Sequence, residues 1–94
     1  MPENDIRALQ DFRAFLRLMI GHMEAEGWHA ELRPGNSGSL YKQIIRKLPD
    51  RLVFAYNAWR GERDIPTSIV LLDSWLERRL KIELESASAR AGIL

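Results

Sequence analysis

Leu9, Phe12, Leu16, Met19 and Met23 follow one another at steps that alternate between three and four. Side chains at that spacing fall into a single stripe only on an α-helix, and an amphipathic helix must bury its stripe against another element. Phe15 and Leu18 widen this stripe. Asn4 or Asp5 can accept from the first unpaired amide groups, Asp5 and Asp11 favour the positive end of the helix dipole, and Gly27 suits the left-handed position after the last turn. The spacing predicts a first helix over about residues 5–26.

The same period returns three times. Tyr41, Ile44, Ile45 and Leu48 sit at i, i+3, i+4 and i+7 behind Ser39, a capping residue, and predict a helix over 39–48. Pro49 disfavours helical geometry at Leu48 and carries no amide hydrogen, yet it suits the first position of a new helix. A third helix is therefore predicted over 49–60, in a new direction, and ended by Gly61. Along it Leu52, Ala55, Tyr56 and Trp59 share one face, while Phe54 and Ala58 point elsewhere. Leu48, Pro49, Leu52 and Trp59 form the structural junction. A fourth helix is predicted over 67–86, capped by Thr67 or Ser68. Its apolar side is Ile69, Leu72, Trp75, Leu76 and Leu80, with Ile82 and Leu84 further on. The run "ERRLKIELE" places Glu77 before Lys81 and Arg79 before Glu83, which reads as a solvated face laced by i, i+4 pairs. Residues 87–94 lose the pattern and are expected to fray.

The segment "GWHAELRPGNSGS" between the first two helices has no helical period and reads as a loop, with Trp28 and Leu32 expected to pin it against the core. Strand alternation, internal repeats and low complexity are all missing from the sequence. A chain of 94 residues with 46% hydrophobic and 29% charged side chains is enough for one core. The expected fold is all-α, a compact bundle of about four helices in a single domain over 1–94.

Composition narrows the function classes. Fourteen basic against thirteen acidic side chains give a net charge of +1, which creates no global field for nucleic acid or an anionic membrane. The absence of cysteine removes disulfides, thiol nucleophiles and cysteine-based zinc sites together. The opening "MPENDIRALQDF" carries acids where an export signal would carry bases, and the longest aliphatic run, "IVLL", is far below the ~20 residues of a membrane span. His22 and His29 lack metal-ligand spacing, and "PGNSGS" lacks the lysine and setting of a phosphate-binding loop. No catalytic group, cofactor or metal is expected, so the chain does not read as an enzyme. The bases from Lys42 to Arg63, interleaved with aromatics, loosely evoke a helix-turn-helix. The second helix, however, lacks the exposed polar readers that base recognition needs, so nucleic-acid binding is not expected through this domain.

The stretch "LYKQIIRKLPDRLVFAYNAW", preceded by "LQDFRAFLRLMIGHMEAEG" and followed by "SWLERRLKIELESA", resembles the C-terminal half of the capsid region in Gag polyproteins of Bel/Pao-type LTR retrotransposons. The most specific piece is Lys47-Leu48-Pro49 with Leu52 and Trp59 behind it, and the similarity spans nearly the whole chain. The resemblance implies a fold like the retroviral capsid C-terminal domain, with no catalysis and no cofactor. It implies that the partners are the chain itself, as a homodimer or higher oligomer, and other Gag capsid subunits. The location it implies is cytoplasmic, within capsid-like particles, in which the domain links subunits into a shell. The N-terminal half of such a capsid lies outside this chain, which would then be an excised domain or a domesticated Gag remnant.

A small bundle gains stability as well as assembly when a symmetry mate covers an apolar patch. Phe54 lies off the Leu52–Trp59 face, and with Val53, Ala58 and Trp75 it forms a candidate two-fold interface; the alternative is that all four are internal. Two other function classes stay open: a helical adaptor that uses the same patch for another protein, and a small nucleic-acid-binding domain.

Overall fold

A computed structural model describes residues 6–35 and 38–92, the side chains of residues 90–92 excepted. Asn4 and Asp5, the expected caps of the first helix, lie outside the described residues. The described chain forms α1 (Ile6–Ala25), α2 (His29–Leu32), α3 (Ser39–Ile45), α4 (Asp50–Glu62) and α5 (Ile69–Gly92), with no strand among these residues. The fold is all-α, a small helical bundle. α1 packs against α5, and the single-turn α2 touches both.

α1 buries Leu9, Phe12, Leu16 and Met23, with Met19 packed at the edge of the core. Phe15 and Leu18 do not widen the buried stripe, since both are exposed. At about 100° per residue Phe15 falls beside the core-facing arc and Leu18 nearly opposite it. α1 ends as Gly27 predicts. The Gly27 amide donates to Glu24 O at 3.3 Å and the Trp28 amide to Met23 O at 2.8 Å, while Gly27 takes φ +80°. These are the two bonds of a Schellman cap.

The same cap closes α4, but not at Gly61. Gly61 lies inside that helix, and Asp64 adopts the left-handed turn at φ +52°. Its amide donates to Gly61 O and the Ile65 amide to Arg60 O, both at 3.2 Å. Asp tolerates this conformation better than most residues with a side chain, so a glycine was not required.

The bend at Pro49 differs from expectation in its details. α3 ends at Ile45, and the Lys47 and Leu48 amides donate three residues back, to Ile44 O and Ile45 O, both at 3.1 Å. Tightening of this kind is common at helix ends. Pro49 is the residue before α4 rather than its first. Its ψ of 144° is extended, which redirects the chain, and its carbonyl accepts from the Leu52 and Val53 amides. Ser39 likewise lies inside α3, with Gly38 at the cap position. Ser68 does cap α5: its Oγ accepts from the Leu71 amide at 3.0 Å.

Within the predicted loop, α2 is a turn of helix that half-buries Leu32 against the core. Trp28 does not pin the loop, because it is exposed. The loop is tied elsewhere: the Gly35 amide donates to Thr67 O at 2.6 Å.

α5 runs past its expected end at residue 86, to Gly92. Among its described side chains the last buried one is Leu80, and from Lys81 to Ala89 only Glu83 is even half-buried. The backbone therefore stays helical where the apolar pattern has stopped, consistent with the good helix formers Lys81, Glu83, Leu84, Glu85, Ala87 and Ala89.

α5 is registered against α1 by charge. Arg13 Nε and Arg17 Nε lie 3.6 and 3.7 Å from the two oxygens of Asp73, and Arg13 Nη2 lies 3.1 Å from Glu77 Oε2. Glu77 thus reaches across to another helix while its side chain stays mostly exposed. Asp73 is buried, and its contacts to the two arginines are longer than hydrogen bonds. Burial pushes its carboxyl above the usual value of 3.8, and the attraction of Arg13 and Arg17 offsets this only in part. In the interval between 3.8 and that raised value the unfolded chain ionises first, so the native state holds more protons and stability falls as pH rises. Asp73→Asn should cancel this component: its stability relative to wild type should rise with pH across the interval. Urea midpoints of both proteins at successive mildly acidic pH values check this, and a gap that does not change with pH would remove the assignment.

Candidate self-association surface

α4 distributes its side chains over three directions. Leu52 and Tyr56 point into the core, Ala55 and Trp59 point along the flank nearest α5, and Phe54 and Ala58 point outward. Tyr56 anchors this arrangement. It has no exposed surface; its ring lies 5.5 Å from that of Trp75 and stacks at 6.4 Å with Trp59. Its hydroxyl and Thr67 Oγ1 are 2.7 Å apart, and Thr67 Oγ1 donates to the Tyr41 hydroxyl, also at 2.7 Å. Burial pushes the Tyr56 hydroxyl up to about 12, so it stays protonated and the chain of hydroxyls stays intact at any physiological pH. Thr67 is therefore a hub that joins α3, α4 and the loop before α3. It offered no stronger sequence signal than a possible cap.

The four candidate interface residues do not form one patch. Phe54 is 76% exposed and Ala58, one turn on, is exposed beside it. Val53 turns the other way and packs half-buried against the core. Trp75 is only 6% exposed and belongs to the core, so it is not available for a surface contact with Phe54. Trp75 lies on the apolar side of α5, where its spacing places it, and its ring meets that of Tyr56 there. Of the junction residues, Leu48 and Leu52 are buried while Pro49 and Trp59 are half-buried.

A second surface feature was not foreseen. Ala55 and Trp59 from α4, with Trp75, Arg78, Arg79 and Ile82 from α5, line a groove of about 370 Å³. Its floor is aromatic and its rim basic. The Arg63 and Arg78 guanidinium carbons lie 5.1 and 6.0 Å from the Trp59 ring centroid. Arg79 Nε pairs with Glu83 Oε1 at 3.3 Å, as the i, i+4 spacing predicts. The available signal was the i, i+3, i+4, i+7 set Trp75, Arg78, Arg79 and Ile82, which is hidden when the arginines are read only as a solvated run.

The other bases are dispersed. Lys47 Nζ sits 5.4 Å over the Phe15 ring on α1, and Arg60 donates to Ile65 O at 3.1 Å. His22 and His29 are both exposed, and among the described residues no three His, Asp or Glu side chains gather as a metal site. No described helix is long and apolar enough to cross a membrane. No protein-family model matches the chain, and neither a curated protein nor a solved structure matches it.

Proposed function

We propose that this chain is a structural self-association domain of a Gag-like capsid protein, a non-catalytic module that links subunits into a shell. The observation that carries the reading is the outward face of α4. Phe54 is a large aromatic, 76% exposed, held away from the core on a well-anchored helix with Ala58 exposed beside it. The all-α bundle and the resemblance across the Leu48–Pro49 junction agree with it. Capsid contacts need not be tight: interfaces of about −4 to −8 kcal/mol, millimolar to micromolar alone, are reinforced when many act together. On this reading the domain works in the cytoplasm, inside capsid-like particles.

Sedimentation over a wide protein concentration range, at low and high salt, tests it. A reversible dimer or larger species that persists in salt is the expected result. A strict monomer at the highest concentration would overturn self-association and favour a heteromeric adaptor that uses the same α4 face.

A further inference from the structure

Beyond Leu80, α5 projects with no buried residue among the described side chains of 81–89, although isolated helices shorter than about 12 residues are marginal in water. Ile82 and Leu84 are exposed on this projection. The stripe that continues the groove wall is Trp75, Arg78, Arg79, Ile82, Glu85, Ser86 and Ala89, at i, i+3, i+4, i+7 and onward. Its N-terminal half is basic, its centre is apolar, and its C-terminal half is acidic and small. A stripe with that order is complementary to itself when reversed.

We propose that a second copy of this chain lies antiparallel along the projecting end of α5, with the two-fold axis at Ile82. In that register the two Ile82 side chains meet on the axis. Arg79 faces Glu85 of the other copy, Arg78 faces Ser86, and Ala89 falls over the Trp75 end of the groove. Apart from the Ile82 pair on the axis, every contact occurs twice, as an isologous interface requires. Arg79 keeps its own Glu83 at one side and meets the partner's carboxylate at the other. The shared overlap, residues 75–89, is about 22 Å of helix, a small contact that closes at a dimer.

This inference rests on the self-association reading and places one of its contacts. Charge reversals test it without touching the core, since Arg79 and Glu85 are not buried. Arg79→Glu alone sets two acids against each other twice, and Glu85→Arg alone sets two bases against each other twice. An equimolar mixture of the two variants restores both opposite pairs in a heterodimer. Sedimentation should show dimerisation weakened roughly tenfold or more in each variant and recovered in the mixture, with circular dichroism confirming that both remain helical. Wild-type association with unaffected variants would overturn the α5 contact and leave self-association standing. Weakened variants that the mixture does not rescue would overturn the register at Ile82. A wild-type monomer at every concentration would overturn both readings.

Discussion

Tyr56→Ala should bring this domain close to global unfolding, with a loss of about 3–5 kcal/mol. The side chain has no exposed surface, and it supports Trp59 on one side and Trp75 on the other. Removing it opens a cavity under both indoles and strips Thr67 of one hydroxyl partner. Small domains hold a margin of about 5–15 kcal/mol, and one of 94 residues is expected near the low end. Tyr56→Phe is the control. It keeps the ring and deletes only the hydroxyl, leaving Thr67 bonded to Tyr41, so about 1 kcal/mol is expected. Urea denaturation followed by far-UV circular dichroism compares the two. Equal small losses would mean that the Tyr56 ring is not a core element and that the assignment of α4's faces is wrong.

Where the sequence was legible, one periodicity carried the information. Leu9, Phe12, Leu16 and Met23, or Ile69, Leu72, Leu76 and Leu80, are spaced so that only a helix can bury them together, and all eight are buried. The Leu48–Pro49 bend was legible because proline acts through its own ring and missing amide, whatever surrounds it. What period alone could not decide was the edge of each stripe. Phe15 and Leu18 are apolar enough for the core but lie outside the arc that neighbouring helices cover. Three-dimensional partners were hidden for the same reason. The Arg13–Asp73–Arg17 cluster joins residues some sixty positions apart, and its only trace was a carboxylate inside the apolar run that starts at Ile69. Thr67, which meets Tyr41, Tyr56 and Gly35, was marked only as a possible cap. The groove was half legible: the α5 stripe could be read, but the α4 wall of Ala55 and Trp59 that completes it depends on how the two helices meet.

Phe54→Asp should separate assembly from folding. Phe54 points away from the core, so the substitution removes no buried contact; stability should stay within about 1 kcal/mol of wild type, the residual cost being aspartate's weaker helix propensity. Association through this face should fall about ten- to hundredfold, the transfer free energy of one phenylalanine side chain that is covered in the assembly and wet in the monomer. The proposed α5 contact makes the expected pattern more specific. A two-fold interface is satisfied by one partner and closes, so a shell needs at least one further face on every subunit. If α5 supplies the closed pair and Phe54 the extending contact, Phe54→Asp should stop growth at the dimer. Arg79→Glu should instead remove the dimer and leave the weaker Phe54-dependent association. Sedimentation of the two single variants and their combination resolves this: the combined variant should be monomeric and still helical. A Phe54→Asp protein that loses its helicity would place Phe54 in the core after all. One that assembles like wild type would leave α5 as the only contact, and a chain with one closed contact forms pairs, not shells.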